Sequence, residues 1–364
     1  MIRLLIADDS PVFRHFLRKC VAQMPDVEVV GEARHGEDAL AKIAELKPDV
    51  LTLDMTMPRM NGMQVLQSIK QNYPNLPAIV LTSSNEKEAD LTVAALDAGA
   101  FDFIFKPQVS DGDPTVCLID ALLPRLKAAC KSPVGGRTGP SPVRSPKPVL
   151  RTSGRAASSR PDLVAIGSST GGPAALHTVL GALPADFPVP VVLTQHMPKL
   201  FMQPLADRLE KETALSCHLA EEGMTLERGH IYVAPGEHHL KLQREGMDIV
   251  CRLSEDPPVH HCRPAVDPMF YSLAALAPRV NTLAVVLTGM GEDGALGAKA
   301  IAEKRGHVIA QDEKSSVVWG MPGATVKCGA AHEVLPLDQI AAAIMKRCAR
   351  PTASTGAKYA NAAV

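Results

Sequence analysis

Short apolar runs, each closed by a polar residue, punctuate the first third of the chain. Arg3-Leu4-Leu5-Ile6-Ala7 ends in Asp8-Asp9, Val50-Leu51-Thr52-Leu53 in Asp54, Ala78-Ile79-Val80-Leu81 in Thr82, and Phe103-Ile104-Phe105 in Lys106-Pro107. Near-continuous apolar runs of this length predict buried parallel strands, with helices in the intervals between them. The pattern resumes after residue 160. Asp162 to Ile166, Val191 to Gln195, Leu283 to Thr288 and Val308 to Ala310 read as strands. Pro173 opens an amphipathic stretch through Leu176, Val179, Leu180 and Leu183. Two α/β units are expected, each a doubly wound, mostly parallel sheet.

Between them the pattern stops. Residues 131–160 carry seven basic side chains, no acidic ones and five prolines. Such a stretch has too little apolar surface to bury and predicts a linker, partly extended by proline. The expected organisation is a first domain over 1–128, a flexible basic linker over 129–160, a second domain over 161–350 and a frayed tail over 351–364. A chain of 364 residues is long enough for two cores. Its 46% hydrophobic content and formal net charge of −1 fit an ordinary soluble protein, expected as a monomer. The basic run lacks interleaved aromatics and a reading helix, so nucleic-acid binding is not expected. Eight cysteines without a C-x-x-C pair, no apolar run approaching a membrane span and no leader before the first strand predict free thiols in a cytoplasmic protein. His238-His239 and His260-His261-Cys262 lack the spacing of a structural zinc site, and no metal is assigned to them.

Position relative to strands then decides the candidate chemistry, because in open α/β sheets the ligand crevice lies beyond the carboxyl ends of the strands. In the first unit Asp8, Asp9, Asp54, Thr82 and Lys106 should converge there. Clustered carboxylates repel unless a cation neutralises them, and hard oxygen ligands at an open site suit Mg²⁺ beside a phosphate. A carboxylate so placed can attack phosphorus and form an acyl phosphate. Solvated acidic loop ends are the plainer alternative.

In the second unit the frame Gly167-Ser168-Ser169-Thr170-Gly171 sets a serine on a strand-to-helix turn, where a serine hydrolase carries its nucleophile. A phosphate cradle or a simple tight connection is the alternative reading of the same glycines. His196 and Asp293 each follow a strand at the same sheet edge, so a Ser169–His196–Asp293 triad is expected. Asp312 is a rival acid, whereas His307 precedes its strand and belongs at the opposite edge. Alone, His196 could be a backbone-bonded strand-end histidine and Asp293 a cap for the helix from Ala295. The order Ser, His, Asp differs from that of the α/β-hydrolases.

Both halves resemble known families. Asp8-Asp9-Ser10 through Arg14, Asp54 through Met57-Pro58, Thr82-Ser83-Ser84 and Lys106-Pro107 match the two-component receiver pattern. The resemblance implies a flavodoxin-like, five-stranded receiver with Asp54 as phosphoacceptor. It further implies Mg²⁺ on Asp8, Asp9, Asp54 and the Thr56 carbonyl, Thr82 and Lys106 answering the phosphoryl group, and Phe103 at the aromatic switch position. The second unit resembles the chemotaxis methylesterases (CheB-type) through Ile166 to Gly172, Thr194 to Pro198, Ala234-Pro235-Gly236, Arg263-Pro264 through Asp267, and Leu287 through Asp293-Gly294. Ser168 stands where that family often has alanine, and Glu292 where it often has asparagine.

This resemblance implies a serine hydrolase, needing no cofactor for the ester reaction, that demethylates glutamate methyl esters and deamidates glutamines. The substrates implied are the cytoplasmic helices of chemoreceptors, the only link to a membrane. The phosphodonor implied is a chemotaxis histidine kinase. Met290 would offer its backbone N–H to the oxyanion. Arg263 and Asp267 are candidates for docking or, equally, for an internal salt bridge or turn. A receiver-controlled binding module without covalent chemistry, and a receiver-controlled esterase for another protein, are the competing expectations.

Overall fold

The computed structural model describes residues 1–83, 85–107, 113–131 and 160–349. Most of the linker expected over 129–160, and the tail over 351–364, lie outside the described residues. The first unit runs β1 (Ile2–Ala7), α1 (Pro11–Val21), β2 (Val27–Ala33), α2 (Gly36–Leu46), β3 (Val50–Asp54), α3 (Gly62–Asn72), β4 (Ala78–Thr82), α4 (Glu86–Ala98), β5 (Asp102–Phe105) and α5 (Pro114–Lys131). Its sheet has the order β2-β1-β3-β4-β5, every pairing parallel. The strand order reverses between β1 and β3, which opens a crevice where Asp8 and Asp54 emerge. Local chemistry starts the helices: Ser10 accepts the Phe13 N–H ahead of α1, and Asn61 with Gln64 forms a capping box on α3. Helix α5 continues past the boundary expected at 128.

The second unit runs β6 (Leu163–Ser168), α6 (Gly172–Leu180), β7 (Val191–Gln195), a 3-10 turn (Lys199–Phe201), α7 (Met202–Glu212), β8 (Ser216–Leu219), β9 (His230–Val233), β10 (His239–Glu245), β11 (Asp248–Ser254), α8 (Val266–Leu276), β12 (Thr282–Val286), α9 (Ala295–Glu303), β13 (His307–Gln311), α10 (Met321–Lys327), β14 (Glu333–Leu335) and α11 (Leu337–Cys348). Its main sheet has the order β14-β13-β12-β6-β7-β9-β8 and is parallel throughout. Strands β10 and β11 form a separate antiparallel hairpin. Strand β6 is central; the chain leaves it toward β7 and later returns to its other side with β12. Strands β6, β7, β12 and β13 are almost wholly buried, as expected of a parallel sheet covered on both faces. No helix among the described residues is long and apolar enough to cross a membrane.

The two units pack against each other. One apolar cluster contains residues of both, from Leu53 and Phe103 to Leu176 and Phe201. Phe201, fully buried, meets the Phe103 ring at 4.6 Å and the Phe105 ring at 5.2 Å between centroids, within the range for favourable tilted pairs. Arg208 of α7 pairs with Asp97 of α4. Phe201→Ala should therefore cost about 3–5 kcal/mol in denaturant unfolding of the whole chain. A loss below about 1 kcal/mol would mean that the ring is not part of a shared core.

Candidate active site

Three chain segments meet at the carboxyl edge of the main sheet. After β6 the backbone turns so tightly that Gly171 takes a φ of +76°, a conformation glycine adopts without steric cost. The turn leaves the two serines in different places. Ser168 is fully buried and its hydroxyl donates to Gln195 Oε1 at 2.7 Å. Ser169 instead lines a cavity of about 450 Å³ together with His196 of the β7 edge, Cys262 and Arg263. Gln195 steadies the turn: its Nε2 donates to the carbonyls of Ser169 and His196, each at 3.0 Å. Gly289 lies so close that a Cβ there would stand 2.8 Å from Ser169 Cβ and 2.3 Å from Met321 Sδ. No side chain fits between the β12 turn and the serine.

His196 and Asp293 are in direct contact, Nε2 to Oδ2 at 2.6 Å, with side-chain exposures of 10% and 1%. The Asp293 carboxylate also accepts the N–H groups of Val266 (2.6 Å), Asp267 (2.9 Å) and Gly294 (2.9 Å). A carboxylate so supplied with donors keeps its charge despite burial. Burial pushes the Asp293 pKa up, but the imidazole and the backbone donors outweigh it and hold the group below the ordinary value. For His196 burial disfavours the imidazolium, yet Asp293 and the Cys262 sulfur beside the ring prevail and hold its pKa up at about 9. The helix after Asp293 is not capped by it: Gly294, at φ +84°, occupies the N-cap of α9, while Asp293 caps α8 instead.

Two backbone donors near Ser169 are free. The Ser169 N–H is committed to the Thr288 carbonyl at 3.0 Å, whereas among the described residues the N–H groups of Thr170 and Met290 have no partner. The Ser169 hydroxyl likewise has no hydrogen-bond partner among the described residues. The structure thus joins His196 to Asp293 directly and brings Ser169 into the same cavity without a direct bond to the ring. The rival Asp312 is turned toward Ser315, accepting its N–H and hydroxyl, and His307 begins β13 at the far edge, bonded to Glu333. Asp267 is only 3% exposed, which removes it from any docking surface. Arg263 donates to the carbonyls of Glu255 and Asp256.

The opposite wall of this cavity belongs to the first unit. Asp102, Phe103, Phe105, Leu118 and Arg125 line it. Asp102 Oδ2 accepts the Thr170 hydroxyl at 2.8 Å and Arg125 Nε at 2.9 Å. The residue following Ser169 is therefore hydrogen-bonded to the other unit. Periodicity gave no sign of this contact, nor of Phe201 or Cys262, because each depends on how separate segments dock.

At the first unit's own crevice, Lys106 Nζ stands 2.7 Å from Asp54 and 2.8 Å from Asp8. One oxygen each of Asp8, Asp9 and Asp54 lie within 4.8 Å of one another. Asp8 Oδ2 is buried with no aligned hydrogen bond despite its nearness to Lys106, and burial raises the Asp8 pKa, with Lys106 opposing. Thr56 donates its N–H and hydroxyl to Asp54 Oδ1 at 3.1 and 3.3 Å. These clustered acid groups, gathered about a single lysine, fit a hard divalent cation. The Thr82 hydroxyl is bonded to Glu88, Ser83 and Thr92 rather than to the carboxylates, and Phe103 is turned in against Phe201.

Comparison with known proteins agrees with this division. Residues 4–125 match the response regulator receiver domain, and residues 164–344 match the CheB methylesterase family. A protein-glutamate methylesterase/protein-glutamine glutaminase of Geobacillus kaustophilus is 42% identical, over 95% of this chain and 98% of that protein. One from Xanthomonas campestris pv. campestris is 40% identical, over 93% and 95%. The crystal structure of the Thermotoga maritima CheB methylesterase catalytic domain is 39% identical with a TM-score of 0.50, covering 51% of this chain and 98% of that one.

A base must be neutral to take a proton. If His196 serves as the base, its pKa held up at about 9 means that turnover of unphosphorylated protein on a small ester should rise with pH through that region. Cys262→Ala, which removes the sulfur beside the ring, should move the rise to lower pH. A rate already flat above pH 7 would contradict that role for His196.

Proposed function

The chain belongs to the family of receiver-linked protein-glutamate methylesterase/protein-glutamine glutaminases, and on that premise we propose that Ser169, His196 and Asp293 carry its reaction. The observation that supports this most is the buried His196–Asp293 contact of 2.6 Å in a cavity that Ser169 also lines. Asp293 fixes the Nε2–H tautomer, which leaves the other ring nitrogen to take the serine proton. Ser169 Oγ then attacks the ester carbonyl of a methylated glutamate. The tetrahedral oxyanion is met by the free N–H groups of Met290 and Thr170; losing one such donor generally costs about 2.7–4 kcal/mol of transition-state stabilisation. His196 returns the proton to departing methanol, and water, deprotonated by the same imidazole, hydrolyses the acyl-enzyme. A glutamine side chain follows the same course, with ammonia leaving.

The substrates are the methylated helices of chemoreceptors, and the phosphodonor is a chemotaxis histidine kinase. In the receiver Asp54 accepts the phosphoryl group. Asp8, Asp9, Asp54 and the Thr56 carbonyl would hold Mg²⁺, which supplies positive charge to the phosphoryl oxygens when bound. Lys106 offers a further cation, and Thr82 must leave Glu88 to reach the phosphate. The closed arrangement favours control by masking: Asp102, Phe103 and Phe105 occupy the cavity wall that a receptor helix would have to approach. Phosphorylation then shifts a population from closed to open by as much as it weakens that packing.

Methanol release from methylated receptor, with and without acetyl phosphate, tests the reading. The phosphodonor should stimulate release, Asp54→Asn should abolish the stimulation, and Ser169→Ala should lower turnover by about 10⁴-fold or more. Release that survives Ser169→Ala would refute the nucleophile. Asp102→Ala removes the acceptor for Thr170 and should raise the unphosphorylated rate severalfold; an unchanged rate would argue against masking through this contact.

A further inference from the structure

Behind the catalytic pair lies a second histidine–carboxylate pair that the reaction derived above does not use. Asp267 stands in the first turn of α8, nearly inaccessible to solvent. Its Oδ1 accepts the Gly297 N–H of α9 at 2.7 Å, and its Oδ2 lies 3.4 Å from His260 Nε2. Asp293 answers from the other side, accepting the Val266 and Asp267 N–H groups at the start of α8. Each carboxylate thus caps the other's helix. Neither helix has a side-chain cap of its own, since Ala265 and Gly294 occupy the N-cap positions. Both negative charges also sit where helix N-termini favour them.

The turn that carries His260 ties this second pair to the cavity. Val259 and Cys262 bridge across it, with His260 and His261 both at positive φ (51° and 62°), the geometry of a type I′ turn. From one side of the turn His260 reaches Asp267; from the other, the Cys262 sulfur sits against His196. One oxygen each of Asp267 and Asp293 and a His260 nitrogen lie within 4.8 Å of one another. A cation could not serve there without taking Asp293 from His196 and from its three backbone donors.

We propose that Asp267, steadied by His260, is a positioning residue for the hydrolytic reaction: it fixes the Asp293 carboxylate through the shared capping and sets a second negative charge behind the His196–Asp293 pair. The groups facing Asp267 are His260 from the preceding turn, Asp293 and the Gly297 N–H from the α9 side, and Tyr271 one helical turn along α8. Burial raises the Asp267 pKa, the Gly297 N–H opposes this and the Asp293 charge adds to it. Burial and the two carboxylates also raise that of Tyr271. The charge on Asp267 favours imidazolium at His196, so removing it makes the imidazole easier to deprotonate.

The proposal rests on the triad reading, and the experiment separates the two. Methanol release by the full chain, stimulated with acetyl phosphate, is followed against pH for the wild type, Asp267→Asn and Asp293→Asn. In Asp267→Asn the amide oxygen can still accept the Gly297 N–H, so the cap persists while the charge is lost. The expected result is kcat lower by about tenfold, KM within about twofold, and the acid limb of the pH profile moved to lower pH. A profile and kcat equal to the wild type would overturn the proposal, as would a change confined to KM. Full activity in Asp293→Asn would sink the triad itself, whatever Asp267 does. Should Asp267→Asn fail to fold, His260→Ala removes the partner of Asp267 instead. A lower kcat with KM preserved supports the link, and an unchanged kcat overturns it.

Discussion

The Asp293 carboxylate is held by the imidazole of His196 and by three backbone N–H groups at the start of two helices. A buried charge of this kind is tolerated only while its donors stay in place, because an unpaired carboxylate in such a site would cost several kcal/mol. The helices α8 and α9, the turn after β12 and the imidazole are consequently locked to a common geometry. Ser169 is brought to that geometry by the parallel sheet, which delivers β6, β7 and β12 side by side and ends them at one edge. Gly289 permits the close approach, since any side chain there would collide with the serine or with Met321.

The same edge is where the receiver docks. Its contacts differ in chemistry from the catalytic ones. The aromatic contact of Phe103 and Phe105 with Phe201 supplies apolar area, while the Asp102–Thr170 hydrogen bond and the Asp97–Arg208 pair fix orientation. Phe103 is one of these contacts between the two units. It sits on β5, the strand that ends just before Lys106, whose ammonium bridges Asp54 and Asp8, and its ring is buried against the catalytic unit. Under the proposed phosphorylation of Asp54, the added charge would lie within one short strand of the packing that covers the cavity.

Strand ends were the readable part of the sequence. Asp8, Asp54, Lys106, Ser169, His196 and Asp293 all follow apolar runs, and parallel strands buried on both faces announce themselves by composition alone. Side-chain direction was not readable. The plainer alternative for Asp293, a cap for its own helix, fails because Gly294 takes that position and the carboxylate turns to His196 and α8. Asp267 stands beside Arg263 as a docking candidate by sequence, yet it is buried, and that burial depends on where α9 packs. The Thr170–Asp102 bond joins segments of different units, and no periodicity within either encodes it.

Labelling of the full chain with a fluorophosphonate, followed by identification of the modified peptide, tests the central claim most directly. The account predicts a single adduct on Ser169 that forms slowly in the unphosphorylated protein and faster with acetyl phosphate. An adduct on another residue, or labelling of Ser169 at a rate indifferent to the phosphodonor, would contradict it.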